Sequence, residues 1–178
     1  MKIHLIFNLI LIAILQFNCS QPKTENKTKM SFIPQDFQVR DSLVIDFNKD
    51  GINDFVMALQ SSLPDSSTEE TLRILMILKG INSTDYKLSA RNDTLLWCKT
   101  CGGMMGDPFD GFYFDSDTLE VSQAGGSACR WGVKYFIVFN HEKDNWSIVK
   151  KYSFSYDSLD PEESFEDSTI IYNPKIKF

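Results

Sequence analysis

The sequence predicts an all-β domain, an antiparallel sandwich or a small propeller-like arrangement, behind an N-terminal signal segment. Two observations carry that prediction. Short runs of branched and aromatic residues recur along most of the chain, and Asn, Asp, Gly or Ser, the residues that turns need, separate them. A third observation bounds it: 178 residues, 43% hydrophobic, with 14 Phe, 6 Tyr and 3 Trp, are enough to fill one core and too few for two comfortable domains.

The first segment, residues 1–18, has a different role. MKIH supplies a positive start through Lys2, and LIFNLILIAILQF (5–17) is an apolar run too short to span a bilayer as a helix. That is the form of a secretory signal. Cys19 follows it directly, and LQFNC resembles a relaxed bacterial lipoprotein signal. The resemblance implies that Cys19 becomes the lipidated first residue and holds the protein to a membrane; the plainer alternative is an ordinary cleaved signal. Residues 19–31 include SQPKTENKTKM, polar and without aromatics, which reads as a flexible tether. The domain is expected over 32–178.

Removing residues 1–18 takes away Lys2 and no acid, so the remainder is one unit more negative than the −6 of the whole chain. An acidic surface repels phosphates, which argues against nucleic acid and against a polybasic grip on anionic lipid.

The strands are then expected in order. SLVIDF (42–47) and DFVMALQ (54–60) flank an acidic loop. TLRILMILK (71–79) has the Ile and Leu density of a buried strand, and YKLSA (86–90) alternates. DTLLW, GFYFD, TLEVSQ, KYFIVFN, WSIVKKYSFSY and STIIY follow, with a hairpin loop at 140–145. Two polar excursions, 61–70 and the acid-rich 157–168, read as solvated loops.

DFNKDGINDFVMAL (46–59) carries the sharpest chemical signal. Asp46, Asn48 and Asp50 offer hard oxygens at positions 1, 3 and 5 of a coiled loop, Gly51 lets the chain turn, Ile52 offers a backbone carbonyl at position 7, and Asp54 falls at position 9. Such donors converge on calcium. An EF-hand would need Glu at position 12, where Met57 stands. The alternative is a turn that collects Asp, Asn and Gly for conformational reasons alone; repulsion among three carboxylates favours the cation. The loop resembles the calcium loop of FG-GAP and VCBS repeats, D-x-[DN]-x-D-G-x-x-D between two strands, at every liganding position. A single copy does not bring the propeller fold with it, and a site of protein oxygens points to a structural metal.

A second segment, LLWCKTCGGMMGDPFDGFYFD (95–115) with SQAGGSACRWGVKYFIVF (122–139), resembles a pattern of small bacterial secreted proteins and lipoproteins, C-x-x-C-G-G-x-x-G-D-P-F-x-G followed by G-G-S and R-W. The resemblance names a family and implies no activity. Cys98 and Cys101 read most simply as a disulfide that leaves Cys129 unpaired, with Cys129 joined to either as the alternative. A redox pair would need a helix N-terminus in a βαβ setting, and zinc would need more cysteine or histidine than Cys129 and His141 provide. The glycines of GGMMGDPFDG could cradle a ligand together with Asp107, Asp110, Arg130 and Trp131. The structural alternative has Asp107 capping backbone amides and Phe109 plugging the core.

No nucleophile elbow is present, and His141, the one histidine outside the signal segment, sits in a hairpin turn. The expectation is therefore an exported, calcium-stabilised domain with a binding or structural role. The competing readings are a hydrolase acting on an anionic polymer or glycan, which would join Asp107, Asp110 and Arg130 in one cleft, and a thiol-disulfide protein.

Overall fold

The chain builds two antiparallel sheets, each from strands consecutive in sequence. In the computed structural model residues 27–63 and 73–172 are described; the signal segment, Cys19 and most of the tether lie outside them. The first sheet runs β1 (Phe37–Ile45), β2 (Asp54–Ser61), β3 (Arg73–Gly80) and β4 (Tyr86–Asn92), side by side in that order. The second runs β5 (Phe109–Asp115), β6 (Thr118–Gly126), β7 (Cys129–Asn140), β8 (Asn145–Asp157) and β9 (Glu166–Ile171). The architecture is a sandwich of two sheets, and the propeller-like alternative falls away.

Period-two alternation sorts the side chains. Val56 and Ala58 of β2 lie opposite Ile77 and Leu75 of β3. From that face they meet Phe112, Leu119, Val121, Ile137 and Trp146 of the second sheet in the main core. Intervening residues Met57, Leu59, Ile74, Met76 and Leu78 form a second cluster on the other face. That explains why β2 and β3 read as nearly continuous apolar runs: both of their faces are covered. Each buried Leu or Ile contributes about 1.5–3 kcal/mol over its exposed state.

What covers the second face is the N-terminal segment. Phe32, Ile33 and Phe37 pack on it, the carbonyl of Lys27 accepts the amide of Tyr86 at 2.9 Å, and the Lys29 ammonium stands 4.5 Å from the Phe55 ring centre. Packing against the sheet thus extends at least to Lys27, because a short 3-10 turn (Lys29–Phe32) lays the end of the expected tether on it.

One expected strand is absent. DTLLW (93–97) is irregular. The Asn92 side-chain oxygen accepts the amides of Thr94 and Leu95 at 3.0 and 2.8 Å, which bends the chain out of β4. Leu95 and Leu96 then drop into the core. Among the described residues no helix is long and apolar enough to cross a membrane.

The sheets are joined through a charge cluster. Arg73, whose side chain is 1% exposed, makes two 2.7 Å hydrogen bonds to the two oxygens of Asp107. Arg40 of β1 adds a third at 3.1 Å, and Asp107 also accepts the Phe109 amide at 3.0 Å. Burial by itself would raise the Asp107 carboxyl; Arg73, the Phe109 amide and Arg40 hold it down at about 2. Asp107→Ala, which leaves Arg73 buried and uncompensated, should destabilise by about 3–5 kcal/mol in urea unfolding. Because the folded value lies below the ordinary 3.8, this stabilisation is complete above pH 3.8 and lost as pH falls through about 2. The Asp107→Asn variant should lack that part of the acid transition.

Candidate functional site

The acidic loop connects β1 to β2 as a tight coil. Lys49 and Gly51 take positive φ, 60° and 81°, and the acidic side chains turn inward onto the loop's own amides. Asp46 accepts the amides of Asp50 (3.1 Å) and Gly51 (2.9 Å). Asn48 donates to Asp50 at 2.6 Å, and Asp50 accepts the Ile52 amide at 2.9 Å. Those bonds hold the exposed Asp50 carboxyl below its usual value, Asn48 foremost. Asp54 opens β2 and is fully buried. It accepts the amides of Phe47 (3.1 Å) and Gly80 (2.7 Å), tying the loop to β3. Burial pushes its carboxyl up to about 6, against the pull of those two amides and with the help of the Asp50 and Asp46 charges.

Among the described residues no three acidic, histidine or cysteine side chains gather as a metal cluster. The donor set offered by the loop is of another kind: carboxylates from Asp46, Asp50 and Asp54, the Asn48 amide oxygen and the Ile52 carbonyl. All are hard oxygens, and a carboxylate or amide oxygen that accepts one backbone amide keeps a further lone pair. Asp54 is raised by its burial first and by the Asp50 and Asp46 charges after it, and a cation near its carboxylate would offset both effects. From the same loop, Lys49 reaches Asp117 in the β5–β6 turn at 2.9 Å, a second link between the sheets.

The cysteine-bearing crossover, residues 93–108, closes the other end of the sandwich. Gln123 of β6, 1% exposed, donates to the Leu95 carbonyl at 3.0 Å and accepts the Trp97 amide at 2.7 Å. Cys98 and Cys101 form a disulfide, and Cys129 is free and exposed. The carbonyl of Gly102 then accepts the Gly126 amide at 2.8 Å, and that of Pro108 the Ala124 amide at 2.8 Å, so the crossover is stitched along β6.

Glycine is required at one point of this contact. A Cβ on Gly125 would stand 2.5 Å from the Trp131 ring and 2.8 Å from Gly102 Cα. Without it, the Trp131 indole lies across β6 and meets Trp97, ring centres 4.4 Å apart. Beside this pair, a cavity of about 350 Å³ opens toward β8 and β9.

The residues expected to form one ligand loop are therefore dispersed. Asp107 is committed to Arg73 and Arg40, and it does cap the Phe109 amide while Phe109 is buried in the core. Asp110 accepts from Ser122 at 3.1 Å. Arg130 and Trp131 are sequence neighbours on one strand, so their side chains leave opposite faces of β7. Only Trp131 reaches the cavity. His141 is in the β7–β8 turn, its ring edge-on to Phe139. Sequence reasoning missed Trp97 and Gln123; the signal for Trp97 was an aromatic residue directly before a C-x-x-C, in a run read as a strand.

No family model, no curated protein and no solved structure matches this chain. Its chemistry has to be read from its own residues.

Two measurements check this arrangement. Alkylation without reductant should label Cys129 and spare Cys98 and Cys101, and reduction should cost only about 2 kcal/mol, the chain-entropy figure for so short a loop. Gly125→Ala should destabilise by about 1–3 kcal/mol and change the near-ultraviolet circular dichroism of the displaced indoles.

Proposed function

We propose that this chain is an exported, calcium-stabilised β-sandwich domain, held to a membrane through a lipid on Cys19, that works by binding a partner. The observation that carries the calcium reading is the burial of Asp54 beside Asp46 and Asp50. Asp46, Asn48, Asp50, Asp54 and the Ile52 carbonyl would hold the ion. Bound there, calcium would supply positive charge that offsets three carboxylates and would fix the turn that joins β1 to β2. Its role is structural: the loop's side chains serve its own backbone, and Asp54 is closed off from solvent. A binding role is supported by the cavity beside Trp97 and Trp131, whose walls the disulfide and the β6 hydrogen bonds hold in place before any ligand arrives.

Titration calorimetry of the metal-free protein should show calcium binding, and calcium should raise the melting temperature. Asp50 is exposed, so Asp50→Ala should fold, bind calcium at least about tenfold more weakly and lose most of the thermal shift. Retention of both in that variant would refute the assignment. For the anchor, a palmitate analogue supplied to bacterial cells should label the wild-type chain and not Cys19→Ala; equal labelling of the two would remove the tether from the proposal.

A further inference from the structure

We propose that the cavity between the Trp97–Trp131 pair and strands β8 and β9 binds a neutral saccharide. This rests on the binding role above and names its ligand class.

The cavity lies on the inner face of the second sheet, where the first sheet no longer covers it. Trp131 is opposite Ser155, and Val133 opposite Ser153. Directly opposed residues share a face, and Ile137, farther along the same side of β7, belongs to the inter-sheet core. The register continues to β9, with Glu166 opposite Ser155 and Ser168 opposite Ser153. Every residue of β9 is exposed, so among the described residues no second layer lies over this edge of the sheet. An inner face that would ordinarily be apolar carries hydroxyls and charges instead: Ser153, Ser155, Ser168, Lys151 and Glu166 all line the cavity.

An aromatic wall over a hydroxyl-rich floor matches one ligand chemistry well. A pyranose has C–H bonds on its faces, which lie against the electron-rich face of an indole, and hydroxyls around its rim, which need donors and acceptors. Here the serines supply both, Glu166 accepts and Lys151 donates. Ser153 and Ser168 bond each other at 2.9 Å, so the floor is already ordered. A volume of about 350 Å³ lies at the small end of the range of small-molecule sites.

Other ligands fit less well. A polyanion would meet Glu166 and Asp167 on a chain of charge −6. An apolar ligand would strip water from the serines and charges without replacing its hydrogen bonds. A peptide strand would pair with the open backbone edge of β9 and leave the indole wall unused.

The test uses the whole exported chain, calcium-saturated, with soluble cellohexaose, chitohexaose and mannohexaose as probes. An oligogalacturonate and a random peptide pool are the competitors. NMR of the indole N–H groups reads the site directly, because Trp146 is buried and donates to Ser89 at 3.1 Å, away from the cavity. At least one neutral oligosaccharide should shift the Trp97 and Trp131 signals and leave that of Trp146 in place. Its affinity should fall at least about tenfold in Trp97→Ala, and measurably in Glu166→Gln, whose exposed side chain leaves the fold intact. Failure of all three sugars to move those signals, or equal affinity in both variants, overturns the proposal. Binding of the peptide pool or the oligogalacturonate at Trp97 instead would overturn the saccharide assignment while leaving the binding role standing. A sugar-binding protein whose melting temperature ignores calcium would keep this inference and remove the calcium reading.

Discussion

A sheet of four strands cannot cover a sheet of five, and much of this molecule follows from that mismatch. Where the layers overlap, Val56, Ala58, Leu75 and Ile77 close on Leu119, Val121 and Ile137 to make an ordinary core. Where they do not, the larger sheet would expose an inner face. The crossover between the sheets covers part of it, laying Leu95, Leu96 and Trp97 on β6 and β7. The remaining part, along β8 and β9, is furnished with serine, lysine and glutamate rather than with apolar side chains. The same constraint accounts for the hardware around the crossover. An irregular segment against a sheet has backbone groups that need partners, and Gln123, the Gly126 amide and the Ala124 amide provide them.

Most strands were legible because their cause is local. Alternation and turn residues lie within a few positions of one another, and GFYFD, TLEVSQ, KYFIVFN and WSIVKKYSFSY all became strands. That residues 46–54 form a tight turn was legible for the same reason: Asp46, Asn48, Asp50 and Gly51 are close in sequence, and their hydrogen bonds run among themselves and to Ile52. DTLLW misled because its composition is that of a strand, while its fate is set by Asn92 behind it and Gln123 far ahead. The Arg73–Asp107 pair was invisible for a like reason. Nothing in DPF says that its acid is for an arginine at the start of β3.

Adjacency misled in a second way. Arg130-Trp131 looked like a unit because the two are neighbours, yet a strand separates neighbours by a whole sheet thickness and unites residues two apart. The partner of Trp131 is instead Trp97, and what permits their meeting is a side chain that is not there, at Gly125. A missing Cβ leaves no mark in hydrophobic periodicity. It becomes meaningful only once the register sets Gly125 opposite Trp131.

The pairing of Lys27 with Tyr86 has a directional consequence. Tyr86 begins β4 at the end of the sandwich that also holds Gly80, the acidic loop and the β5–β6 turn. Trp131, Ser155 and Glu166 stand at the strand ends farthest from it. At Lys27 the chain therefore enters beside the acidic loop, at the end of the sandwich opposite the indole pair, so an attachment made at Lys27 would leave the Trp97–Trp131 face free.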